Sequence, residues 1–148
     1  MESFVKKVDI RWSDLDPNFH LRHSAYYDFG AYCRVCFLEE AGLTPATMVQ
    51  LQVGPILFRE ECSFRKEIHF GDNISIDLRL EKSTPNFSRW TLKHRLIKNN
   101  EIVCATITID GAWIDTRLRK LAAIPEEFSS RIIEMSPKTE NFILSANK

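Results

Sequence analysis

Between Asp14 and Tyr26 stand two acids, Asp14 and Asp16, two histidines, His20 and His23, and a turn-forming Pro17-Asn18. Carboxylates and imidazoles are the side chains of acid–base chemistry, and both are costly to dehydrate. Their concentration just ahead of an apolar, nearly uncharged helical segment points to a site rather than to packing. A helix that starts here adds unpaired backbone N–H groups, which can polarise an anionic oxygen.

The elements that must position these groups are legible as patterns. Val8, Ile10 and Trp12 alternate with Asp9 and Arg11, which predicts a first strand running into the site loop. From Ser24 the period changes: Tyr26, Phe29, Cys33, Cys36 and Phe37 recur at helical spacings. Ser24 is the predicted N-cap, Asp28 suits the positive end of the dipole, Gly42 is the stop, and Pro45 lies just past it. Only Asp28 and Arg34 are charged between Ala25 and Leu38, so the helix should be covered on several sides, as in the curve of a sheet.

The second half reads as strands. Ile56 to Phe70 forms a long one, bent or broken near Arg59–Glu61, and Gly71-Asp72-Asn73 turns it. Ile74, Ile76, Leu78 and Leu80 alternate with polar residues, and after Pro85-Asn86 so do Trp90, Leu92, His94 and Leu96. Asn99-Asn100 marks a hairpin into a last strand over Ile102 to Ile114, with Val103, Ala105, Ile107 and Ile109 on one face. A basic segment, Thr116–Ala122, precedes a short helix around Glu126–Glu134, and residues 136–148 read as a loose tail. Segregated helix and strands indicate an α+β fold: one antiparallel sheet of about five strands, wrapped around one long buried helix. Residues 1–148 form a single domain on this reading, with no repeat or linker.

Twenty basic residues balance twenty acidic ones, which argues against nucleic-acid binding driven by bulk charge. Neither a signal peptide nor an apolar run long enough to span a membrane is evident, so a cytoplasmic protein without membrane contact is expected. Cys33 and Cys36 make a CxxC, but inside the apolar helix and without a second pair; they, Cys62 and Cys104 read as buried, inert thiols. His20, His23 and Asp16 are metal-ligand types, yet no fourth ligand is evident, and no metal site is expected. His69 and His94 fall in strands and read as structural.

From Trp12 to Arg34 the chain resembles hotdog-fold acyl-CoA thioesterases of the 4-hydroxybenzoyl-CoA thioesterase class. The resemblance rests on Asp14-Leu15-Asp16 after the first strand, the Pro17–His23 loop, Tyr26, and a long aromatic helix carrying Arg34. Phe70-Gly71-Asp72 is similar to the family's turn between its second and third strands, and Arg117–Pro125 to its exit segment. The resemblance extends through Pro125 and implies a hotdog fold, a thioester hydrolase, and a homodimer or homotetramer with sites between subunits. It makes Asp16 the catalytic carboxylate. His23 occupies the place of a histidine found in one subset of the family, and His20 that of a histidine in another. Phe19 stands where the latter subset carries Gly, and Arg22 where it carries Asn.

The resemblance implies a coenzyme A thioester, or an acyl-carrier-protein thioester, as substrate, with no cofactor. Asp16 would activate water as general base or attack the carbonyl itself to give a mixed anhydride. The N–H of His23 or Ser24 would hold the oxyanion, and His23 would orient Asp16 or the water, or donate to the carbonyl or the departing sulfur. Asn18, Ser24 and Tyr26 are the candidate substrate contacts, although Asn18 also suits the turn and Tyr26 the packing between helix and sheet. Asp14 reads as a loop buttress. Arg65, Lys66, Arg117, Arg119 and Lys120 can meet CoA phosphates or simply face solvent, and Phe29, Phe58 and Trp90 can line an acyl tunnel or the core. The rival class is a non-catalytic acyl-thioester-binding protein on the same fold.

Overall fold

The computed structural model describes residues 2–146. Strand β1 (Val5–Val8) leads through a single 3-10 turn (Trp12–Asp14) into helix α1 (His23–Glu40) and a short α2 (Pro45–Leu51). Then come β2 (Val53–Phe64), β3 (Ile74–Asp77), β4 (Arg79–Ser83), β5 (Arg89–Lys98) and β6 (Ile102–Asp115). β7 (Lys120–Ala122), α3 (Glu126–Met135) and β8 (Lys138–Leu144) complete the order.

The eight strands among the described residues belong to one sheet. β5 pairs with β6 on one side and with β3 and β4, end to end, on the other. β1 lies outside β3, β8 lies outside β4, and β2 lies outside β6. β7 continues the line of β5 along the end of β6, so the strands form five rows. Every pair is antiparallel except β4 with β8. The predicted break in β2 is a bulge between Leu57 and Arg59.

The alternation predicted for β5 is realised: Trp90, Leu92, His94 and Leu96 are buried on one face. Helix α1 lies on that face with Ala25, Tyr26, Gly30, Cys33 and Phe37 buried. The approach at Gly30 is close, since a Cβ there would stand 3.3 Å from His94 Cδ2 and 3.6 Å from Ile107 Cδ1. Phe37 meets Phe4 edge to face at 5.1 Å, which ties the N-terminal segment onto the helix.

Several expectations are corrected. The first strand lies earlier than the Val8–Trp12 alternation implies; Trp12 is in the 3-10 turn and is 81% exposed. Helix α1 begins at His23, so its N-cap is Arg22 rather than Ser24, and no acid falls in its first turn. Its burial is a stripe: Ala31, Tyr32 and Val35 are exposed, so within one chain the helix is covered on one side. Pro45 does more than follow a stop, because Thr44 Oγ1 accepts the Thr47 N–H at 3.1 Å and starts α2 with proline in its first turn. The basic segment contains β7, and the tail expected to be loose contains β8, held by backbone pairing rather than by burial of its own side chains. Cys33 and Cys104 are buried but Cys36 and Cys62 only partly so, and burial pushes the Cys33 thiol up to about 12.

Candidate active site

The loop between β1 and α1 is built on Asp14. Its buried carboxylate accepts the Arg11 backbone N–H at 2.9 Å and the Arg11 guanidinium at 3.0 Å, with the Arg22 guanidinium 3.7 Å away. Its carbonyl accepts the Arg22 N–H at 2.8 Å. Hydrogen bonding to Arg11 holds the Asp14 carboxyl below the usual carboxylate range. That stability is complete above the unfolded pKa and is lost as pH falls through the lower folded value. Asp14→Ala is expected to lower unfolding free energy by about 1–2 kcal/mol in urea titrations at neutral pH, chiefly through the orphaned Arg11 N–H. The exposed Arg11 side chain adds little. Asp14 is thus the buttress that its sequence position indicates.

Asp16 opens a tight turn. One carboxylate oxygen, Oδ1, accepts the N–H of Asn18 at 2.9 Å and of His20 at 3.1 Å. The backbone closes the same turn from Phe19 N–H to Asp16 O, at 2.9 Å, and from Asp16 N–H to His20 O, at 2.8 Å. Phe19 carries it in the left-handed region, at φ 63°, where the related subset of sequences has Gly. Among the described residues Oδ2 of Asp16 makes no hydrogen bond, so one oxygen holds the loop and the other does not take part in holding it.

His23 is the exposed first residue of α1, and Arg22 offers no side-chain cap. The first N–H groups of α1, those of His23 and Ser24, therefore have no capping side chain from Arg22. No hydrogen bond or ion pair joins His23 to Asp16 among the described residues. Ser24 Oγ is held by the Arg22 guanidinium, which also bonds Ser13 O at 3.3 Å. Tyr26 is buried edge-to-face on Phe64 at 4.9 Å. Burial, reinforced by the charges of Cys62, Cys104, Asp16 and Glu67, pushes its phenol up to about 12. Asn18 is exposed at the turn tip.

His20 is paired with a distant segment of the chain. It bridges His69 in an isolated antiparallel pair, and both rings face Glu67. His69, read from the sequence as a structural strand residue, lies outside any strand in this cluster. Sequence reasoning missed Glu67 as well; only the backbone bridge brings these positions together. His94 is structural as expected, with Nδ1 2.8 Å from Asp77 O and Nε2 3.1 Å from Arg34 Nη1. Arg34 reaches Glu60 at 3.7 Å.

A cavity of about 300 Å³ lies between the second half of α1, α2 and the sheet, with Val35, Leu38, Met48, Trp90 and Trp113 in its wall. Its helical lining starts at Ala31, eight residues into α1, which is about 12 Å along the helix axis from His23. Of the tunnel candidates, Trp90 lines this cavity, Phe29 packs on the core, and Phe58 is exposed with the Arg89 guanidinium 5.0 Å from its ring centre. Arg65, Lys66, Arg117, Arg119 and Lys120 remain on the surface.

One largely antiparallel sheet packed on a long helix, with Asp14 and Asp16 in the loop before it, defines a hotdog fold. The thioesterase-like superfamily profile matches residues 10–132, and the chain belongs to that family. Solved structures agree in fold. A hypothetical protein from Staphylococcus aureus in complex with CoA is 20% identical, with a TM-score of 0.83 over 89% of this chain and 82% of that one. A gentisyl-coenzyme A thioesterase is 19% identical, with a TM-score of 0.77 over 86% and 98%. A DHNA-CoA thioesterase from Staphylococcus aureus is 15% identical, with a TM-score of 0.75 over 83% and 81%. Among curated proteins, none matches the chain. No helix among the described residues is long and apolar enough to cross a membrane.

Proposed function

We propose that this protein hydrolyses acyl-CoA thioesters to the free acid and coenzyme A, with Asp16 as the reacting carboxylate. The observation that carries this reading is that Oδ2 of Asp16 makes no hydrogen bond among the described residues, in the loop that leads into the uncapped start of α1. A thioester carbonyl placed there meets an attacking oxygen and an oxyanion partner together. By one route Asp16 removes a proton from water as the water oxygen bonds to the carbonyl carbon. By the other, Oδ2 bonds to that carbon, CoA leaves as thiolate, and water hydrolyses the anhydride. In both, the C–S bond breaks with its electron pair on sulfur. A thiol pKa near ~8.5 makes this leaving group good without a dedicated acid.

His23 stands at the helix start, where it can orient water or meet the departing sulfur. The exposed Trp12, Phe19 and Phe70 flank or lie near the loop, and β2 offers an open edge carrying exposed Leu57, Phe58 and Phe64. An open apolar edge invites pairing with a second copy. These features support a homodimer, or a tetramer of such dimers, in which the partner closes the acyl site. The neighbours named for CoA support CoA over a carrier protein as the thiol.

The test is thiol release from purified protein offered short, medium, long and aromatic acyl-CoAs. Turnover of at least one class is expected. Tight binding without turnover would instead assign the non-catalytic acyl-binding role, and turnover of acyl-carrier-protein thioesters alone would replace CoA as the substrate's thiol.

A further inference from the structure

We propose that His20, Glu67 and His69 form a binding site for a late divalent transition metal, Zn²⁺ foremost. The three donor atoms lie within 4.8 Å of one another. His20 Nε2 is 3.5 Å from Glu67 Oε2, and His69 Nε2 is 3.7 Å from the same oxygen. Neighbouring ligands on a tetrahedral Zn²⁺ with bonds of ~2.0–2.1 Å stand about 3.4 Å apart, so both Glu67 distances are near those of a coordinating set, and side-chain rotation has to bring the widest donor separation, within 4.8 Å, down to it.

The backbone holds the two imidazoles together. His20 and His69 are antiparallel bridge partners, the Leu21 N–H donates to Ile68 O at 2.7 Å, and the rings meet edge to face with centres 4.7 Å apart. An outer partner stands close by. Asp72 Oδ2 lies 3.7 Å from His69 Nδ1, on the side of the ring away from Glu67. That oxygen is itself fixed, accepting the His69 backbone N–H at 2.7 Å, with Lys98 Nζ at 3.2 Å. At 3.7 Å this carboxylate is beyond hydrogen-bond reach of Nδ1, but closing by a few tenths of an ångström would let it accept Nδ1–H and leave Nε2 for the metal, which is how outer-shell acids orient ligating histidines.

Ligand type sets the class of ion. Two imidazoles and one carboxylate suit Zn²⁺, Co²⁺, Ni²⁺ or Cu²⁺, whereas Mg²⁺ and Ca²⁺ prefer all-oxygen sets. All three side chains are partly exposed, so an ion enters from solvent and keeps water as its fourth ligand. The site does not involve the free oxygen of Asp16. It grips the far end of the same turn, because the His20 N–H is a partner of Asp16 Oδ1. The bound ion acts as a staple between the carboxylate's loop and the Ile68–Asp72 segment. The assignment is independent of the thioester chemistry.

Calorimetric titration of untagged, chelator-stripped protein with ZnCl₂ is expected to give one equivalent with Kd on the order of a micromolar. His20→Gln and His69→Gln should each weaken binding by about a hundredfold and Asp72→Asn by about tenfold, while His23→Gln leaves it unchanged. The Co²⁺ form needs no variant: strong ligand-field absorption of a tetrahedral centre supports the site, and the weak spectrum of the aqueous ion overturns it. Parent protein that takes up no Zn²⁺, or folded His20→Gln and His69→Gln variants that bind like the parent, also overturns it. Thioester hydrolysis measured in excess chelator separates the fate of this site from that of the proposed activity.

Discussion

Asp16→Asn should cut thioester turnover by about 10²–10⁴-fold, the usual worth of a positioned acid–base group, with the fold and the KM little changed. The reason lies in the division of labour between the two oxygens. An asparagine side chain still presents Oδ1 to the N–H groups of Asn18 and His20, so the turn survives. The variant loses what an amide cannot supply, a basic and nucleophilic second oxygen. Asp16→Ala is the useful contrast, because it removes the turn bonds as well and should add about 1 kcal/mol of destabilisation to the catalytic loss. His23→Ala should lower kcat less, since no bond joins that ring to Asp16 among the described residues. The measurements are kcat and KM on the best substrate of the acyl-CoA panel, with urea unfolding run beside them. Near-parental turnover in Asp16→Asn would remove the carboxylate from the mechanism; a greater loss in His23→Ala would exchange the two roles.

The second large effect is acid lability centred on His94. The ring is fully buried beneath α1, between the Asp77 carbonyl from β3 and the Arg34 guanidinium from the helix, which also faces Glu60 on β2. Burial first, and then the Arg34 charge, pushes its pKa from 6.5 down to about 3. The unfolded chain therefore takes up a proton near pH 6.5 that the folded chain refuses. Stability from this residue is complete above pH 6.5 and falls by about 1.4 kcal/mol per pH unit below it, until the folded ring titrates. Between pH 6.5 and 5, before most carboxylates respond, the expected loss is about 2 kcal/mol. Urea unfolding across that range would show the slope, and His94→Gln should flatten it whatever its effect on stability at neutral pH. A parent protein whose stability is constant from pH 6.5 to 5 would contradict the neutral, buried ring.

How much was legible depended on whether a feature announces itself locally. Trp90, Leu92, His94 and Leu96 alternate because one face of β5 is buried, and that pattern survives in the order of residues. Asn99 and Asn100 tolerate left-handed backbone, at φ 56° and 59°, and so mark their hairpin. β8 leaves no such trace. Its residues are mostly exposed, and it is held by parallel backbone pairing with β4, which any sequence can supply. α2 is short, with no fully buried residue to set a period.

The same division runs through the site. Asp-Pro-Asn predicts a turn wherever it stands, and the turn at Asp16 is there; the residue types around it, together with the family resemblance, are what make Asp16 the proposed reacting acid. Local chemistry was enough because the turn is closed by groups within four residues of Asp16. The helix start at His23 instead of Ser24 was settled by Arg22, whose backbone N–H is tied to the Asp14 carbonyl. The partnership of His20 with Glu67 and His69 spans almost fifty positions and arises only when an antiparallel bridge lays one loop beside another. Sequence by itself determined which groups could react and which faces could be buried, because both follow from side-chain chemistry and local period. Tertiary structure alone decided which distant groups meet, because that depends on the register in which separate segments pair.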